Sequence, residues 1–262
     1  MTRTTRTLLA AGTALALSAA AAEAATLVGL TADNQLVRID SMTRRATAPV
    51  RVSGIEGRLL GIDVRPADMK LYGLTDAGQI VTIDPMTGRA TQVSRLSERF
   101  ESGGRATVDF NPAADRLRVM GMGGVNFRVN VETGAVVKDG QLKYQAGTPM
   151  AETMPRVVAG AYTNSLPGAT ATMLYTVDTL SRSLNLQAPP NDGVQQPRGE
   201  ISASLPVGVA FDILADGQGG NTAMLVAGGT LHHLDLASGK AVAVGAVAGL
   251  PQGELIDIAA MQ

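Results

Sequence analysis

Leu71-Tyr-Gly-Leu-Thr75, Gln79-Ile-Val-Thr-Ile-Asp84, Pro85-Met86-Thr87-Gly88 and Ala90-Thr-Gln-Val93 form one unit: a short apolar strand, a second strand ending in Asp, a tight turn and a third strand. Nearly the same arrangement begins at Leu27-Val-Gly-Leu-Thr31, at Leu117-Arg-Val-Met120 and at Met224-Leu-Val-Ala227. Such a recurrence is one supersecondary unit stacked on copies of itself, because a single unit cannot bury its own apolar face. Within each copy the apolar residues alternate, and Gly, Asn, Asp and Pro divide the runs. That pattern predicts an all-β chain, with no long stretch of helical spacing.

The turns have a local mechanism. Asp84 can accept hydrogen bonds from the amides that follow it, Pro85 presets the first corner, and Gly88 takes the left-handed position. Asn130 to Gly134 and Asp235 to Gly239 repeat the device, whereas Asp40-Ser-Met-Thr43 is followed by Arg44, which predicts a different turn or strain. A further strand follows each hairpin: Leu60 to Pro66, Ala106 to Pro112, Val157 to Tyr162, Val207 to Ile213 and Leu255 to Ile258. With four strands per unit there are five units of roughly 48 residues each, the period of propeller blades.

The two ends sharpen this expectation. The chain opens on the second strand of a unit (Leu27 to Thr31) and finishes on a first strand (Leu255 to Ile258). A five-bladed β-propeller closed by pairing these fragments leaves no open sheet edge. The alternative is six blades, with a degenerate hairpin hidden between Asp139 and Pro155.

Residues 1–24 read as a signal peptide: Arg3 and Arg6, an apolar run from Leu8 to Ala22, then Ala22-Glu23-Ala24. The run is too short to span a membrane. Cleavage near Ala24 leaves a single propeller domain over 25–262, secreted or periplasmic. The chain has 0 Cys, which excludes a disulfide framework and a thiol nucleophile; a cysteine-free exported chain fits a bacterial envelope or medium. A formal net charge of −1, which the leader's two Arg and one Glu alter by one unit, gives no field for a nucleic-acid backbone. Aromatic residues make up 3 % and Trp is 0, too few for a stacking platform.

Asp109-Phe-Asn-Pro-Ala-Ala-Asp-Arg-Leu-Arg118, Asn126-Phe-Arg-Val-Asn130, Ala161-Tyr-Thr-Asn-Ser165 and Pro189-Pro-Asn-Asp-Gly193 together give the mature chain a resemblance to a bacterial family of secreted, propeller-like domains of unknown function. The resemblance implies the propeller fold and neither an activity nor a ligand.

Chemistry is sparse. His232 and His233 are consecutive on a strand and face opposite sides, and no Gly-x-Ser-x-Gly elbow is present. Asp63, Asp109 and Asp257 occupy equivalent places on the innermost strands, with Asp212 close to that register. Carboxylates converging on an axis could hold Ca²⁺; the competing reading has each one satisfying backbone amides between blades. The long connections Ser94 to Gly104 and Asp139 to Pro155 place Arg99, Phe100, Tyr144 and, just beyond, Arg156 where recognition loops usually lie. Their alternative role is to pin those loops to the blades. The reading favours a non-catalytic binding or scaffold module for a protein or small-molecule ligand, with no required cofactor; the alternative is a metal-dependent hydrolase or lyase at an axial funnel.

Overall fold

The computed structural model describes residues 25–206 and 208–261, so the expected leader lies outside the described residues. Five sheets, antiparallel except for one two-residue edge strand, radiate from one axis as a five-bladed β-propeller. Blade I contains β1 (Thr26–Thr31), β2 (Gln35–Asp40) and an outer strand broken into β3 (Arg45–Ala46) and β4 (Val50–Arg51). Blade II is β5 (Leu59–Arg65), β6 (Lys70–Thr75), β7 (Gln79–Ile83) and β8 (Ala90–Arg95); blade III is β9 (Ala106–Asn111), β10 (Arg116–Gly121), β11 (Asn126–Val129) and β12 (Val136–Lys138). Blade IV holds β13 (Lys143–Tyr144), β14 (Val157–Tyr162), β15 (Leu174–Asp178), β16 (Ser183–Gln187) and β17 (Val194–Glu200). Blade V is β18 (Val209–Ala215), β19 (Asn221–Ala227), β20 (Thr230–Leu234) and β21 (Ala241–Ala246), and the last strand, β22 (Leu255–Met261), returns to blade I as its innermost member.

Ring closure follows the expected pairing. β22 lies antiparallel to β1, with Thr26 opposite Met261 and Leu30 opposite Asp257. The six-bladed alternative fails at the stretch 139–155. Instead of a hairpin it supplies the two-residue β13, which pairs in parallel with β17 and widens blade IV.

Burial grades outward from the axis. Every residue of β5 and of β14 is buried, while β8 and β12 are mostly exposed. Innermost strands are sandwiched between neighbouring blades and therefore read as continuous apolar runs, whereas outer strands meet water on one face. Gly61 on β5 reflects the same crowding: a Cβ there would lie 2.7 Å from Val108 Cγ2 and 2.8 Å from Asp257 Oδ2. Apolar side chains fill each junction between blades, and the junction of III with IV is the thinnest, holding only Met120, Leu142, Val157, Tyr162 and Leu174 in its buried cluster.

The third turn of each regular blade works as its sequence implies. Asp84 Oδ1 accepts the Met86 amide at 2.8 Å, and the Gly88 amide donates to the Asp84 carbonyl at 2.8 Å. In blade I, Asp40 Oδ1 accepts the amides of Met42 and Thr43, and the chain makes the same turn with Arg44 at φ +54°. The turn is kept and strain falls on Arg44, at about 1 kcal/mol for a side chain in the left-handed region.

Candidate functional site

The innermost strands bring Asp63, Asp109, Asp212 and Asp257 to the axis as an inter-blade ladder. Asp257 Oδ2 accepts the Ile62 amide at 2.9 Å, Asp63 Oδ2 that of Phe110 at 2.7 Å, Asp109 Oδ1 that of Tyr162 at 2.9 Å, and Asp212 Oδ2 that of Ala260 at 2.6 Å. Each bond crosses to the next blade, so the carboxylates tie I to II, II to III, III to IV and V to I. Innermost strands of adjacent blades do not share a ladder, and an amide left between them needs such an acceptor. Blade IV carries Gly160-Ala161 instead of an acid, and a reciprocal pair replaces it: the Asn164 amide donates to Asn221 Oδ1 at 2.7 Å and Asn221 Nδ2 donates to Asn164 Oδ1 at 2.9 Å.

Asp63, Asp109 and Asp212 each offer a carboxylate oxygen lying within 4.8 Å of the other two, and all three residues are buried. Of the expected set Asp63, Asp109 and Asp257, the structure therefore groups the first two with Asp212. Asp257 turns to the Ile62 amide and feels the positive charge of Arg105. Arg105, immediately before β9, closes that end of the axis by donating to Glu254 Oε1, to the Val209 carbonyl and to the Ile256 carbonyl. At the other end a cavity of about 10 Å³ lies against Asp63, Asp212, Pro66, Met69, Ser165 and Ala260. This is room for about one water molecule.

Burial raises the pKa of every axial acid. Asp63, Asp109 and Asp257 lie well above the usual carboxylate range through desolvation, reinforced by neighbouring Asp charges; Asp212 is raised to about 6 by burial. A carboxyl whose folded pKa exceeds its unfolded value stabilises the fold below the unfolded pKa, and that stability is lost as pH rises through the folded pKa. In chelator-treated, metal-free protein, stability should therefore fall between about pH 4 and 6 for Asp212, and over a window reaching higher for the others, by a few kcal/mol at about 1.4 kcal/mol per pKa unit. Below about pH 4 the surface acids held low by their turns, such as Asp84 and Asp235, reverse the trend. Urea denaturation at pH 5 and pH 8 checks this. A higher midpoint at pH 8 would contradict it.

The long-connection residues are placed differently from one another. Arg99 is exposed and faces Glu101 at 3.4 Å. Phe100 is half-buried, edge-on to Phe127 at 5.8 Å between centroids. Tyr144 is buried and its hydroxyl donates to Asp178 Oδ2 at 2.5 Å, while Arg156 is exposed and its amide turns to the same carboxylate at 3.2 Å. Phe100 and Tyr144 thus anchor their own loops, leaving two cationic side chains in solvent. His232 is half-buried against the Thr230 carbonyl and His233 is exposed, as alternation on β20 requires.

Sequence reasoning missed Arg118 as a centre. Its guanidinium is 1 % exposed and donates to Tyr162 Oη at 3.1 Å, Asn126 Oδ1 at 2.8 Å, Asp139 Oδ2 at 2.6 Å and Asn191 Oδ1 at 2.8 Å. Arg128 holds Asp139 from the other side at 2.7 and 2.8 Å. The four segments that carry the family resemblance meet at this one cation. It joins blades III and IV where their apolar contact is thinnest. The available signal was the shared unusual polarity of segments widely separated in the chain.

Outside the axis, an open groove of about 370 Å³ runs along blade II beside the end of β22. Met69, Leu71, Ile83, Pro85 and Met261 line it, and Lys70 and Arg89 stand exposed on its rim. Asp84, also on the rim, is occupied by its own turn.

Together these features define a closed five-bladed propeller built on an axial ladder of acids. The chain belongs to the family described as Domain of unknown function (DUF4394), whose profile matches residues 35–259. It is similar to the 1.70 Å crystal structure of a structural genomics protein of unknown function from Bacteroides thetaiotaomicron VPI-5482, with a TM-score of 0.52 and 16 % identity, over 92 % of this chain and 65 % of that one. The chain thus spans about two thirds of that structure's length, and the likeness concerns the fold. A computationally designed protein, Ika8, aligns at 12 % identity with a TM-score of 0.39, over 88 % of this chain and 61 % of that one. No curated protein matches the sequence. Among the described residues, no helix is long and apolar enough to cross a membrane.

Proposed function

We propose that this protein is a non-catalytic binding module working outside the cytoplasm, and that the groove along blade II receives an extended peptide whose apolar side chain is flanked by acidic residues. The observation that carries the reading is the division of space. The cavity beside Asp63 and Asp212 has about 10 Å³, while the groove along blade II encloses about 370 Å³ with a partly apolar lining, a volume within the usual range of ligand sites. Met69 and Met261 supply adaptable apolar surface, and Lys70 and Arg89 complement acidic flanks. The export part of the reading is supported by the Arg3–Ala24 leader pattern and the absence of Cys.

A hydrolase or lyase working at an axial funnel would need space for substrate beside the carboxylates, and the cavity beside Asp63 and Asp212, at about 10 Å³, favours the groove as the binding site. Selection from a random-peptide display library tests the binding reading. Enriched sequences should combine an apolar residue with neighbouring acids. Their binding should drop at least about tenfold with Met69→Glu or Arg89→Glu, equivalent to about 1.4 kcal/mol, and be unchanged by Arg99→Glu on a distant loop. Loss of binding in Arg99→Glu alone, or no enrichment at all, would refute the assignment to this groove.

A further inference from the structure

We propose that the outer edge of blade V is a strand-addition site, where β21 takes an extended segment of a partner protein that is uncharged in its centre and acidic at both ends. This site is separate from the groove on blade II, and the proposal does not rest on that groove.

The outer strands differ in how they are protected. Natural sheets blunt their edges with charged residues, Pro, very short strands or a covering segment. Among the described residues, the outer strand of blade I is broken into two-residue pieces that each carry an Arg, β8 ends in Arg95, and β12 has three residues and ends in Lys138. β17 contains Pro197 and is covered by β13. β21 reads Ala-Val-Ala-Val-Gly-Ala, with no polar side chain, and its Val242 is 58 % exposed.

The backbone of β21 is available as well. The Ala241 amide donates to Ser202 Oγ at 2.9 Å and its carbonyl accepts from the same hydroxyl, which lies outside the blade. The polar groups of Ala241 therefore point away from β20. Ala243 follows two residues later in unbroken register with β20, so antiparallel alternation points its amide and carbonyl outward too. Ala243 is exposed. The chain uses this mode of pairing once itself: β13 adds to the edge of β17 through the Lys143 amide on the Gly193 carbonyl and the Gln145 amide on the Gln195 carbonyl, each at 2.9 Å. Extended peptides bind exposed sheet edges in the same way.

Charge selects the occupant. Lys240 immediately precedes β21. At the far end Arg44 lies against Gly245, where a Cβ would be 2.8 Å from its Nε, and Arg45 is bridged to Ala248. Asp40, opposite Arg45, and Asp235, beside Lys240, are taken up by the amides of their own turns. An uncharged edge with a cation at each end complements a strand with an acid at each end. Two copies paired about Ala243 would instead bring Lys240 of each chain toward Arg44 of the other, which disfavours self-association.

Fluorescence anisotropy of the full-length protein with a labelled Glu-Val-Thr-Val-Thr-Val-Asp peptide tests the site. The peptide should bind saturably, and severalfold more weakly in Lys240→Glu or when salt rises from about 50 to about 500 mM. Ala243→Pro removes an outward amide and no bond within blade V, so it should weaken binding at least tenfold with little change in Tm. N-methylating one of the two alternating sets of peptide amides should weaken binding to the unaltered protein equally, a readout that does not depend on how the proline variant folds. Arg89→Glu, in the groove, should leave binding unchanged. No binding at millimolar peptide, undiminished binding in both the Ala243→Pro and N-methyl arms, or loss only in Arg89→Glu would overturn the proposal. So would a dimer in sedimentation equilibrium that Ala243→Pro dissolves, since the edge would then serve a second copy.

Discussion

A chain ending at Glu254 should show no cooperative unfolding transition in urea or on heating. The truncation removes β22, whose Leu255, Ile256, Ile258 and Ala259 are all buried. Each of the three larger side chains contributes about 1.5–3 kcal/mol by burial, so their combined loss is comparable with the whole stability of a typical domain, about 5–15 kcal/mol. The loss is also topological. β1 would become the innermost strand of blade I with one edge unpaired, the Ile62 amide would lose Asp257, and Asp212 would lose the Ala260 amide. An unpaired apolar edge invites association, so the truncated protein should sediment as aggregate. Urea denaturation followed by circular dichroism checks this; a cooperative transition with an unchanged slope would show that the ring does not depend on its closing strand.

Arg118→Met should cost about 3–5 kcal/mol, the usual penalty for removing one partner of a buried ion pair, and lower Tm by roughly 10 °C. The substitution keeps the apolar stem but leaves the Asn126, Asn191 and Tyr162 oxygens without their donor and halves the compensation of Asp139. Lys should rescue little, since a point ammonium cannot reach four acceptors arranged for a planar guanidinium. Arg128→Ala, removing a cation 35 % exposed, should cost less than about 1 kcal/mol. Urea midpoints for the three variants give the comparison. Equal small losses for Arg118→Met and Arg128→Ala would mean that apolar packing alone holds blades III and IV together.

The contrast between these predictions reflects what was visible in the chain. Strand alternation, Asp-led turns and complementary end fragments are local patterns, and they specified the blades and the closing partner and favoured five blades, with the six-bladed alternative removed only by the pairing of β13. The equivalent positions of Asp63, Asp109 and Asp257 were legible for the same reason, since they recur at one place in a repeat. Which three carboxylates actually converge was not, because blade register shifts as the ring twists: Asp63 reaches the residue after Asp109 on β9, while Asp257 reaches the residue before Asp63 on β5. Tyr144 resembled a recognition residue because long loops usually are exposed; its hydroxyl instead found the buried Asp178.

The amino-acid sequence by itself determined that this protein is a closed ring of β-blades, because repeated short-range patterning and chain ends that complete one another bury the apolar faces by ring closure; that the ring has five blades and not six rested on how the stretch 139–155 pairs. Only the tertiary structure decided which polar groups meet between blades: the axial acids, the Asn164–Asn221 pair and the Arg118 centre. The contacts that cross from one blade to the next join residues 44 to 195 positions apart, and partners at such separations are chosen by how neighbouring sheets dock, which no local spacing encodes.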